Sequence, residues 1–551
     1  MQTTRPAARR QTPPPRPAPS PNVGAPSGRR LSSAAAIVGA AFVLSRVLGL
    51  TRDIIIGAQF GTRPEYDAYV AAFRIPDLVF LVVMSGAFGS AFVPVFAGFL
   101  ERGQVGKAWR LASNVLTLMV EGFLVAAVLV LIFAGPLVRH FVAPDLSPAQ
   151  QELAIELTRI LLLSPLFLGL GAAAKGILEA HNNFTLPAFA PVTYNLAVVA
   201  GAIFLAPRFG VKGLAWGVVA GSIGHVATQL IGLDRVGMRF KFLPKPVADG
   251  VHRVGKLLAP RIIGQAAFQI NFTIVLTAFA SRLGPGHVSA LNYGYQLMML
   301  PHGLLAISVS TVIFPLMARQ FVARQDDALR TTLGDALRPL FFLTLPASAA
   351  LMILARPVVQ TIYQRGSFSA ESTALVAGAL PYFAAGLVAL ALVETCARAF
   401  YAMQDTRTPL LASLLAIGVN IALALTLSSR FGGPGLAASM SLASTLEMLI
   451  LLGVLRGRIG AFDPAVWTAF LKSLLATIVM ALVLLFIQPR LIAVTTPGPG
   501  APLLVRLALF GLAVFIGFYT YITACWYLRS RELLEFAERI GGRLRRRRRR
   551  A

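Results

Sequence analysis

The sequence predicts an all-α polytopic membrane protein with about 14 transmembrane helices. Three observations support this fold class: a mean hydropathy of +0.71, a charged fraction of only 13%, and repeated apolar runs of about 20 residues. A soluble domain carries about 25% charged residues, so most of this chain cannot face water. In hydrocarbon, backbone N–H and C=O groups must find hydrogen-bond partners within their own segment, which a helix provides. The runs are too long and too continuously apolar to be strands of a β-barrel, so we predict helices.

The apolar runs define the predicted spans in chain order. They cover residues 33–57, 70–98, 111–135, 152–180, 186–206, 212–234, 254–281, 287–318, 335–356, 373–402, 408–428, 433–455, 464–488 and 503–528.

The two ends of the chain differ from the middle in composition. Residues 1–30 contain "QTPPPRPAPSPNVGAPSGRR", which predicts a disordered Pro/Arg-rich tail. No short apolar region with an A-x-A-like site follows it, so no cleavable signal peptide is predicted. The basic tail at 529–551 contains "RLRRRRRR". Beside a membrane, this run is expected to bind anionic lipid headgroups and to fix orientation, and no nucleic-acid partner is predicted.

The distribution of Lys and Arg predicts the topology. With 14 crossings and residue 1 in the cytoplasm, the cytoplasmic segments hold roughly 30 Lys and Arg, and the opposite loops hold about nine. Both termini are therefore expected to be cytoplasmic. The nine residues on the outer side are Arg63, Arg139, Arg208, Lys212, Arg282, Arg356, Arg365, Arg430 and Arg490.

The sequence offers no signature of catalysis or of a metal site. Cys396 and Cys525 both lie inside predicted helices and indicate neither a disulfide framework nor a metal set. H-E-x-x-H, Walker A and G-x-S-x-G patterns do not occur, and the six His are scattered. We therefore predict no catalytic residues, no metal and no cofactor.

An internal repeat divides the chain. "LPAFAPVTYNLAVVAGAIFLAPRFGVKGLAWG" begins at Leu186, and "TPLLASLLAIGVNIALALTLSSRFGGPGLAAS" begins at Thr408. Their prolines and their Arg-Phe-Gly and Gly-Leu-Ala triplets are each 222 positions apart. This offset spans six helices, and an even number of crossings keeps the orientation of the two copies the same. The repeat is therefore parallel, related by a pseudo-twofold axis along the membrane normal.

The repeat predicts the domain organisation. An N-lobe of six helices covers 31–245, a C-lobe of six helices covers 246–460, and two further helices occupy 461–528. A cleft between the lobes is the expected substrate site. Helix-loosening residues in the first two helices of each copy are candidate hinges, namely Gly49, Pro94, Pro301 and Pro315.

Charges inside the predicted spans are the candidate site residues, because a charge at mid-bilayer costs about 2.5–3.5 kcal/mol and usually faces a watery cavity or a partner. Arg46, Arg52 and Asp53 lie in the first span, where a structural ion pair of Asp53 with either arginine is the alternative reading. Arg261 lies in a span without a carboxylate, so it requires a partner from another helix or an anionic ligand. Arginine suits phosphate because its fork binds two oxygens at once.

Five stretches resemble the MurJ/MviN family of lipid II flippases, in the MOP exporter superfamily. They are "SRVLGLTRDIIIGAQFG", "YDAYVAAFRIPDLV", "GAFGSAFVPVFAGF", "GPGHVSALNYGYQLMMLPHGLLAISVSTVIFPLMA" and "ARAFYAMQDTRTP", in order across about 31–460.

The resemblance implies a multi-pass protein of the bacterial inner membrane. Such a protein moves an undecaprenyl-pyrophosphate-linked peptidoglycan precursor outward by alternating access, with cell-wall synthesis proteins as possible partners. It places the family's first-helix arginines on Arg46 and Arg52, its neighbouring acid on Asp53, the acid opening the second helix on Asp67, and a basic residue on Arg74.

Two positions depart from the family pattern. Phe80 and Leu81 stand where members usually carry an Arg or an Arg pair. Gln296 stands where the eighth helix usually carries an Arg. The first hypothesis is therefore a lipid II flippase, and Arg261 is a candidate to compensate for the missing cations. The alternatives are an exporter of another polyprenyl-linked glycan and a non-transporting scaffold of cell-wall synthesis. A drug antiporter would be expected to have an acidic cleft, and a membrane-embedded enzyme would need a compact set of Asp, His or Ser.

The topology is directly testable. We expect reporter fusions after residue 30 and at residue 551 to report the cytoplasm, because the Lys and Arg excess lies on that side. A carboxy-terminal reporter that is active outside the cytoplasm would contradict this arrangement, and an odd number of spans would contradict the parallel repeat.

Overall fold

The computed structural model describes residues 28–85, 88–245, 249–495 and 503–534, and all regular structure in these ranges is helical. The helices are α1 (Gly28–Phe60), α2 (Pro64–Ala72), α3 (Arg74–Val79), α4 (Phe88–Glu101), α5 (Val105–Leu137), α6 (Pro148–Leu161), α7 (Leu163–Ala180), α8 (Thr185–Ala200), α9 (Ala206–Phe209), α10 (Val211–Arg235), α11 (Val251–Thr273), α12 (His287–Val322), α13 (Asp326–Ile353), α14 (Ala355–Ile362), α15 (Ala370–Ala385), α16 (Leu387–Ala402), α17 (Arg407–Phe431), α18 (Gly433–Ile459), α19 (Pro464–Thr495) and α20 (Leu503–Tyr527). Four π-helical turns continue helices at Phe80–Ser85, Val138–Val142, Gly201–Leu205 and Ile274–Phe279.

Each predicted span coincides with one helix or with consecutive helices, so the all-α membrane fold is confirmed. Within the described residues, nine helices are long and apolar enough to cross a membrane, and two bent ones raise this number to 11. The bends are 45° between α15 and α16, and 41° within α12 between Ala306 and Val309. The chain is therefore a multi-pass membrane protein, and the count of 14 crossings stays a prediction.

Most of both predicted tails lies outside the described residues. The structure begins at Gly28, where α1 starts three residues inside the predicted Pro/Arg-rich tail, and it ends at Leu534.

Three large apolar clusters show how the helices pack. One contains Trp109 and belongs to the N-lobe, and a second contains Phe400 and belongs to the C-lobe. The third joins the lobes, because it contains Ile56 from α1, Tyr293 from α12 and Tyr521 from α20. Ile56 and Tyr293 lie near the end predicted to face away from the cytoplasm, which we call the outer end. The opposite end is the inner end.

The two trailing helices pack on each other and on the C-lobe. The hydroxyl of Tyr521 in α20 donates to the carbonyl of Phe342 at 2.7 Å, and the side-chain amide of Gln488 in α19 donates to the carbonyl of Ile353 at 2.6 Å. A buried polar group in a membrane protein needs such a partner. These two bonds therefore fix the hairpin of α19 and α20 against α13.

The backbone repeats unusual conformations at the offset found in the sequence. Gly210 precedes α10 with φ 59° and ψ −144°, and Gly432 precedes α18 with φ 60° and ψ −136°. Positive φ values are uncommon outside glycine, and Asn182 and Gln404 share one at corresponding turns, so the repeat extends from sequence to geometry. Corresponding positive-φ pairs, 221 to 223 positions apart, are Gly61 and Gly284, Gly103 and Arg324, Asn182 and Gln404, and Gly210 and Gly432. The lobe boundaries and the direction of the pseudo-twofold axis stay predictions.

Backbone contact between neighbouring helices also recurs in both lobes. A Cβ built on Gly213 would lie 2.5 Å from the carbonyl carbon of Leu205, and one built on Gly435 would lie 2.3 Å from the carbonyl oxygen of Leu427. Each pair is separated by 222 positions between the lobes. Only glycine allows two helix backbones to approach so closely.

We expect Gly213→Ala and Gly435→Ala to destabilise the protein similarly, by about 1–3 kcal/mol, because the clashing atom is backbone and must move. Thermal unfolding of the purified protein in detergent measures the effect. Gly453→Ala, in the same helix as Gly435, is the control, because no atom lies within 4 Å of its built Cβ. Equal melting temperatures for all three variants would contradict this account of the packing.

Candidate functional site

A cavity of about 700 Å³ lies between the lobes, beside the middle of α1, the last two turns of α7, most of α8 and the outer half of α12. This volume is within the range of small-molecule sites. The residues that line it are Val38, Phe42, Ser45, Arg46, Gly49, Leu50, Arg52, Asp53, Lys175, Glu179, Phe184, Pro187, Ala188, Pro191, Tyr194, Asn195, Gln296, Met299 and Leu300. Most of them are apolar, and the ionisable ones come from α1 and α7.

Arg52 is the most firmly held cation in the cavity. Its Nε donates to Oδ1 of Asp53 at 3.0 Å, and its Nη2 lies 2.9 Å from the same oxygen. Its Nη1 donates to Oδ1 of Asn195 in α8 at 3.2 Å. The two side chains of the ion pair are 25% and 19% exposed, so the cavity hydrates them only partly. Of the two pairings that the sequence allowed for Asp53, the structure has the one with Arg52.

Asn195 positions Arg52 by joining α8 to α1. Its amide nitrogen donates to the carbonyl of Pro191 at 3.0 Å and to the carbonyl of Ser45 at 3.3 Å, which leaves its oxygen free to accept from Arg52. Gly49 lies beside this amide, and a Cβ built there would be in ordinary contact with it at 4.0 Å. The guanidinium of Arg52 is therefore held from two helices.

Two further cations line the same cavity. Arg46 is exposed, and its guanidinium lies 5.2 Å from the ring centre of Phe42. It also reaches α12, because a Cβ built on Gly303 would lie 3.2 Å from its Nη2. Lys175 in α7 is 3.8 Å from Glu179, and its side chain is 56% exposed. The cavity thus holds three cations, Arg46, Arg52 and Lys175, against two acids, Asp53 and Glu179.

A smaller chamber of about 180 Å³ continues from the cavity toward the outer end. The two share Arg52, Asp53, Tyr194 and Gln296 as lining residues. The chamber adds a second pair of charges, Arg74 and Asp77, and also Asn292 from α12.

Arg74 joins the lobes within this chamber. It is 5% exposed, its Nε donates to the hydroxyl of Thr277 at 2.8 Å, and its guanidinium lies 4.6 Å from the ring centre of Phe272. Its Nη2 is buried and has no hydrogen-bond partner. A buried cation with an unused donor fits an anion that enters the chamber.

The outer end of the cleft is closed by contacts between the lobes. The carboxylate of Asp67 is fully buried and accepts hydrogen bonds from the backbone N–H groups of Gly286 and Ser289, at 2.5 and 2.8 Å. It therefore caps α12 from the other lobe. The hydroxyls of Thr62 and Ser372 lie 2.8 Å apart and add to this closure.

The structure thus places the predicted site residues in three groups. Arg46, Arg52, Asp53 and Gln296 line the main cavity, Arg74 lines the smaller chamber, and Asp67 lies in the outer closure. For Arg261 the structure describes the backbone within α11 but not the side chain.

The candidate hinge residues all lie within helices. Gly49 is in α1 and Pro94 is inside α4. Pro301 and Pro315 are inside α12, on either side of its 41° bend.

Sequence reasoning missed polar side chains from both lobes. Asn195 and Asn292 were not singled out, although an amide in an apolar span is a signal of internal hydrogen bonding. Lys175 stood out only as one charge among several in the spans. Within the described residues, no group of three or more His, Cys, Asp or Glu could hold a metal ion.

Comparisons with known proteins agree on one family. The family described as "Lipid II flippase MurJ" matches residues 56–496. The lipid II flippase MurJ of Burkholderia cenocepacia is 34% identical over 452 residues, which are 80% of this chain and 86% of that protein. A probable lipid II flippase MurJ of Haemophilus influenzae is 31% identical and covers 82% of this chain and 91% of its own length.

Solved structures give the same result. A lipid II flippase MurJ in an inward closed conformation matches with a TM-score of 0.74 and 26% identity, covering 89% of this chain and 98% of that one. An inward-facing multidrug resistance transporter of the MATE family, in the MOP superfamily, matches with a TM-score of 0.65 at 17% identity and covers 75% of this chain and 94% of its own. This second likeness shows the fold alone.

We expect Asp67→Ala to lower the free energy of unfolding by about 1–3 kcal/mol, because two buried N–H groups at the start of α12 would lose their acceptor. Thermal unfolding in detergent measures the loss. Asp327→Ala is the matched control, since this acid also lies in the first turn of a helix but is 91% exposed. Equal stability of the two variants would rule out a capping role for Asp67.

Proposed function

Because this chain belongs to the lipid II flippase MurJ family, we propose that it moves the undecaprenyl-pyrophosphate-linked peptidoglycan precursor from the inner to the outer leaflet of the bacterial inner membrane. The observation that carries the proposal is a net basic cleft between two lobes that is closed at its outer end. Both termini are cytoplasmic in this proposal.

The cations of the cleft supply the binding chemistry. A pyrophosphate presents several anionic oxygens, and arginine binds two of them at once. Arg52 is held by Asp53 and Asn195, so little side-chain freedom is lost when it binds. Arg46 and Lys175 are more exposed and can follow the ligand as it enters.

Lys175 compensates for cations that this chain lacks. Gln296 lines both the cavity and the smaller chamber, at a position where the family resemblance leads us to expect an arginine. Leu81 stands at a second position where an arginine is expected. Lys175 enters the same cavity from α7, at a distance from Glu179 that leaves its ammonium only loosely paired. It therefore restores part of the positive charge from a different helix, and Arg261 is a further candidate.

Transport requires the closure to alternate between the two ends. The capping of α12 by Asp67 and the contact of Thr62 with Ser372 hold the outer end shut in this state. Outward release requires these few polar contacts and the apolar cluster beside them to separate, while equivalent contacts form at the inner end. Binding by the cleft must stay moderate, because the same lipid has to leave on the other side.

The net basic lining argues against a drug or cation antiporter. Cationic substrates would be repelled by Arg46, Arg52 and Lys175, which outnumber Asp53 and Glu179. The family is one of transporters, and we propose that this chain carries out no catalysis. A non-transporting scaffold of cell-wall synthesis is the remaining alternative, and the experiment below separates it from a flippase.

The test is complementation of a bacterium depleted of its own lipid II flippase. We expect the wild-type chain to restore growth and outward movement of the precursor. Presence of the protein in the membrane without translocation of either lipid II or another polyprenyl-linked glycan would overturn the proposal and favour a scaffold.

Variants of the Arg52 pair separate binding from folding. We expect Arg52→Ala to lower stability by about 1–3 kcal/mol, because it leaves Asp53 partly buried and unpaired. Arg52→Ala with Asp53→Asn should recover the stability but not the transport. Lys at position 52 should restore transport only in part, because it keeps the charge but loses the two-pronged geometry.

The same assay tests the other cations. Lys175→Gln and Arg261→Ala should reduce transport, and Arg430→Gln is the control, because Arg430 is exposed and far from the cleft lining. Full complementation by the Arg52→Ala, Asp53→Asn double variant would show that Arg52 does not bind the substrate.

A further inference from the structure

Among the described residues, Arg63 and Arg208 of the N-lobe are exposed and have no carboxylate within ion-pair distance. The other cations at the outer end divide into two sets. Three of them, in or beside the N-lobe, have a carboxylate partner. Lys212 lies 2.8 Å from Glu156, Arg282 lies 3.1 Å from Asp145, and Arg139 pairs with Glu152. These pairs account for their charges without any ligand.

The second set belongs to the C-lobe and the trailing helices and has no such partners. Among the described residues, no carboxylate lies within ion-pair distance of Arg356, Arg365, Arg430, Arg490 or Arg506. The connecting segments on this side, 354–372, 429–435 and 489–495, contain a single acid, Glu371. The region therefore has an excess of positive charge beside the membrane.

Arg506 is the most unusual member of this set. It lies in the first turn of α20, and its Nε and Nη1 are buried without a hydrogen-bond partner. A buried guanidinium with two unused donors is unfavourable unless an acceptor reaches it. No protein group in the described residues fills this role.

Arg365 follows directly after α14, which packs against α20, the helix that carries Arg506. Its Nη2 donates to the carbonyls of Thr361 and Ile362, at 2.7 and 2.8 Å, at the end of α14. The pKa of Arg365 is lowered, mainly by partial burial and to a smaller extent by the positive charge of Arg506. The two cations therefore repel one another across the contact of α14 with α20, and an anion between them would relieve this repulsion.

The surroundings of the two arginines identify the kind of anion. Leu504 is 79% exposed, and Val505 and Leu507 are each 45% exposed, so this turn of α20 presents a lipid-facing surface. A free phosphate in water has no reason to prefer such a place, whereas a lipid brings its phosphate to the border of the hydrocarbon. The second source of the same chemistry is the pyrophosphate of a translocated lipid.

We propose that Arg365 and Arg506 form a binding site for the phosphate group of a lipid at the outer end of the molecule, between α14 and α20. The acyl or polyprenyl chain lies along the exposed apolar side chains of α20. The proposal depends on the placement of the chain in a membrane and not on the substrate of the central cleft.

The experiment measures lipid retention by the purified full-length chain. Native mass spectrometry in mild detergent compares phosphatidylglycerol with phosphatidylcholine at equal concentration. We expect the wild type to retain phosphatidylglycerol preferentially. Arg365→Gln and Arg506→Gln should each weaken this retention, roughly tenfold when combined. Arg430→Gln is the control, because it removes an exposed outer cation that lies in neither α14 nor α20.

A second arm distinguishes the two sources of phosphate. Undecaprenyl pyrophosphate is titrated into the complex with phosphatidylglycerol. If undecaprenyl pyrophosphate displaces bound phosphatidylglycerol at a lower concentration than unlabelled phosphatidylglycerol does, the site binds the translocated lipid. If it does not, the site binds a phospholipid. Either result supports a lipid phosphate site.

Two outcomes would overturn the proposal. One is unchanged retention in the double variant, and the other is an equal loss in Arg430→Gln. Arg365→Gln alone keeps the experiment decisive if the double variant does not fold, because Arg365 lies in a surface loop. Retention by this variant equal to that of the wild type would also reject the site.

Discussion

The cost of placing charge in hydrocarbon governs the arrangement of the N-lobe. Arg52 and Asp53 are tolerated in α1 because they pair with one another and because Asn195 brings a further acceptor from α8. Asn195 in turn requires Ser45 and Gly49 to lie against α8. The position of α1 relative to α8 and the shape of the cleft therefore follow from how one ion pair is satisfied.

The same constraint determines where the lobes meet. Asp67 is fully buried and could not remain so without the two N–H groups of α12 that it accepts from. Arg74 likewise depends on Thr277 and Phe272 from the other lobe. Apolar packing around Tyr66 and Tyr293, whose rings stack 5.4 Å apart, adds buried contact area to this closure. The outer closure is thus specified by a few polar bonds inside an otherwise apolar surface.

The sequence predicted the fold more completely than the site. Apolar runs identified the helices because length and hydropathy are properties of each segment alone. The repeat was readable because its glycines, such as Gly213 and Gly435, are required by backbone contact and stay at a fixed spacing. The sequence allows Asp53 to pair with either Arg46 or Arg52. Neighbouring side chains on a helix point about 100° apart, so only tertiary context decides whether Asp53 and Arg52 meet. Asn195 and Lys175 were missed as site residues, because their roles depend on which face of α8 and α7 meets α1.

The contact of Gly213 with Leu205, repeated by Gly435 with Leu427, has a mechanical consequence. Helices whose backbones touch cannot slide or rotate past one another without separating. We therefore expect α8 with α10, and α17 with α18, each to move as a rigid body. Compliance must then be concentrated elsewhere, in elements such as the bent α12 and the broken run from α2 to α4. A displacement at one end of such a pair is therefore expected to move its other end as well. With one such rigid pair in each lobe, a separation of the lobes at the outer end would be coupled to their approach at the inner end.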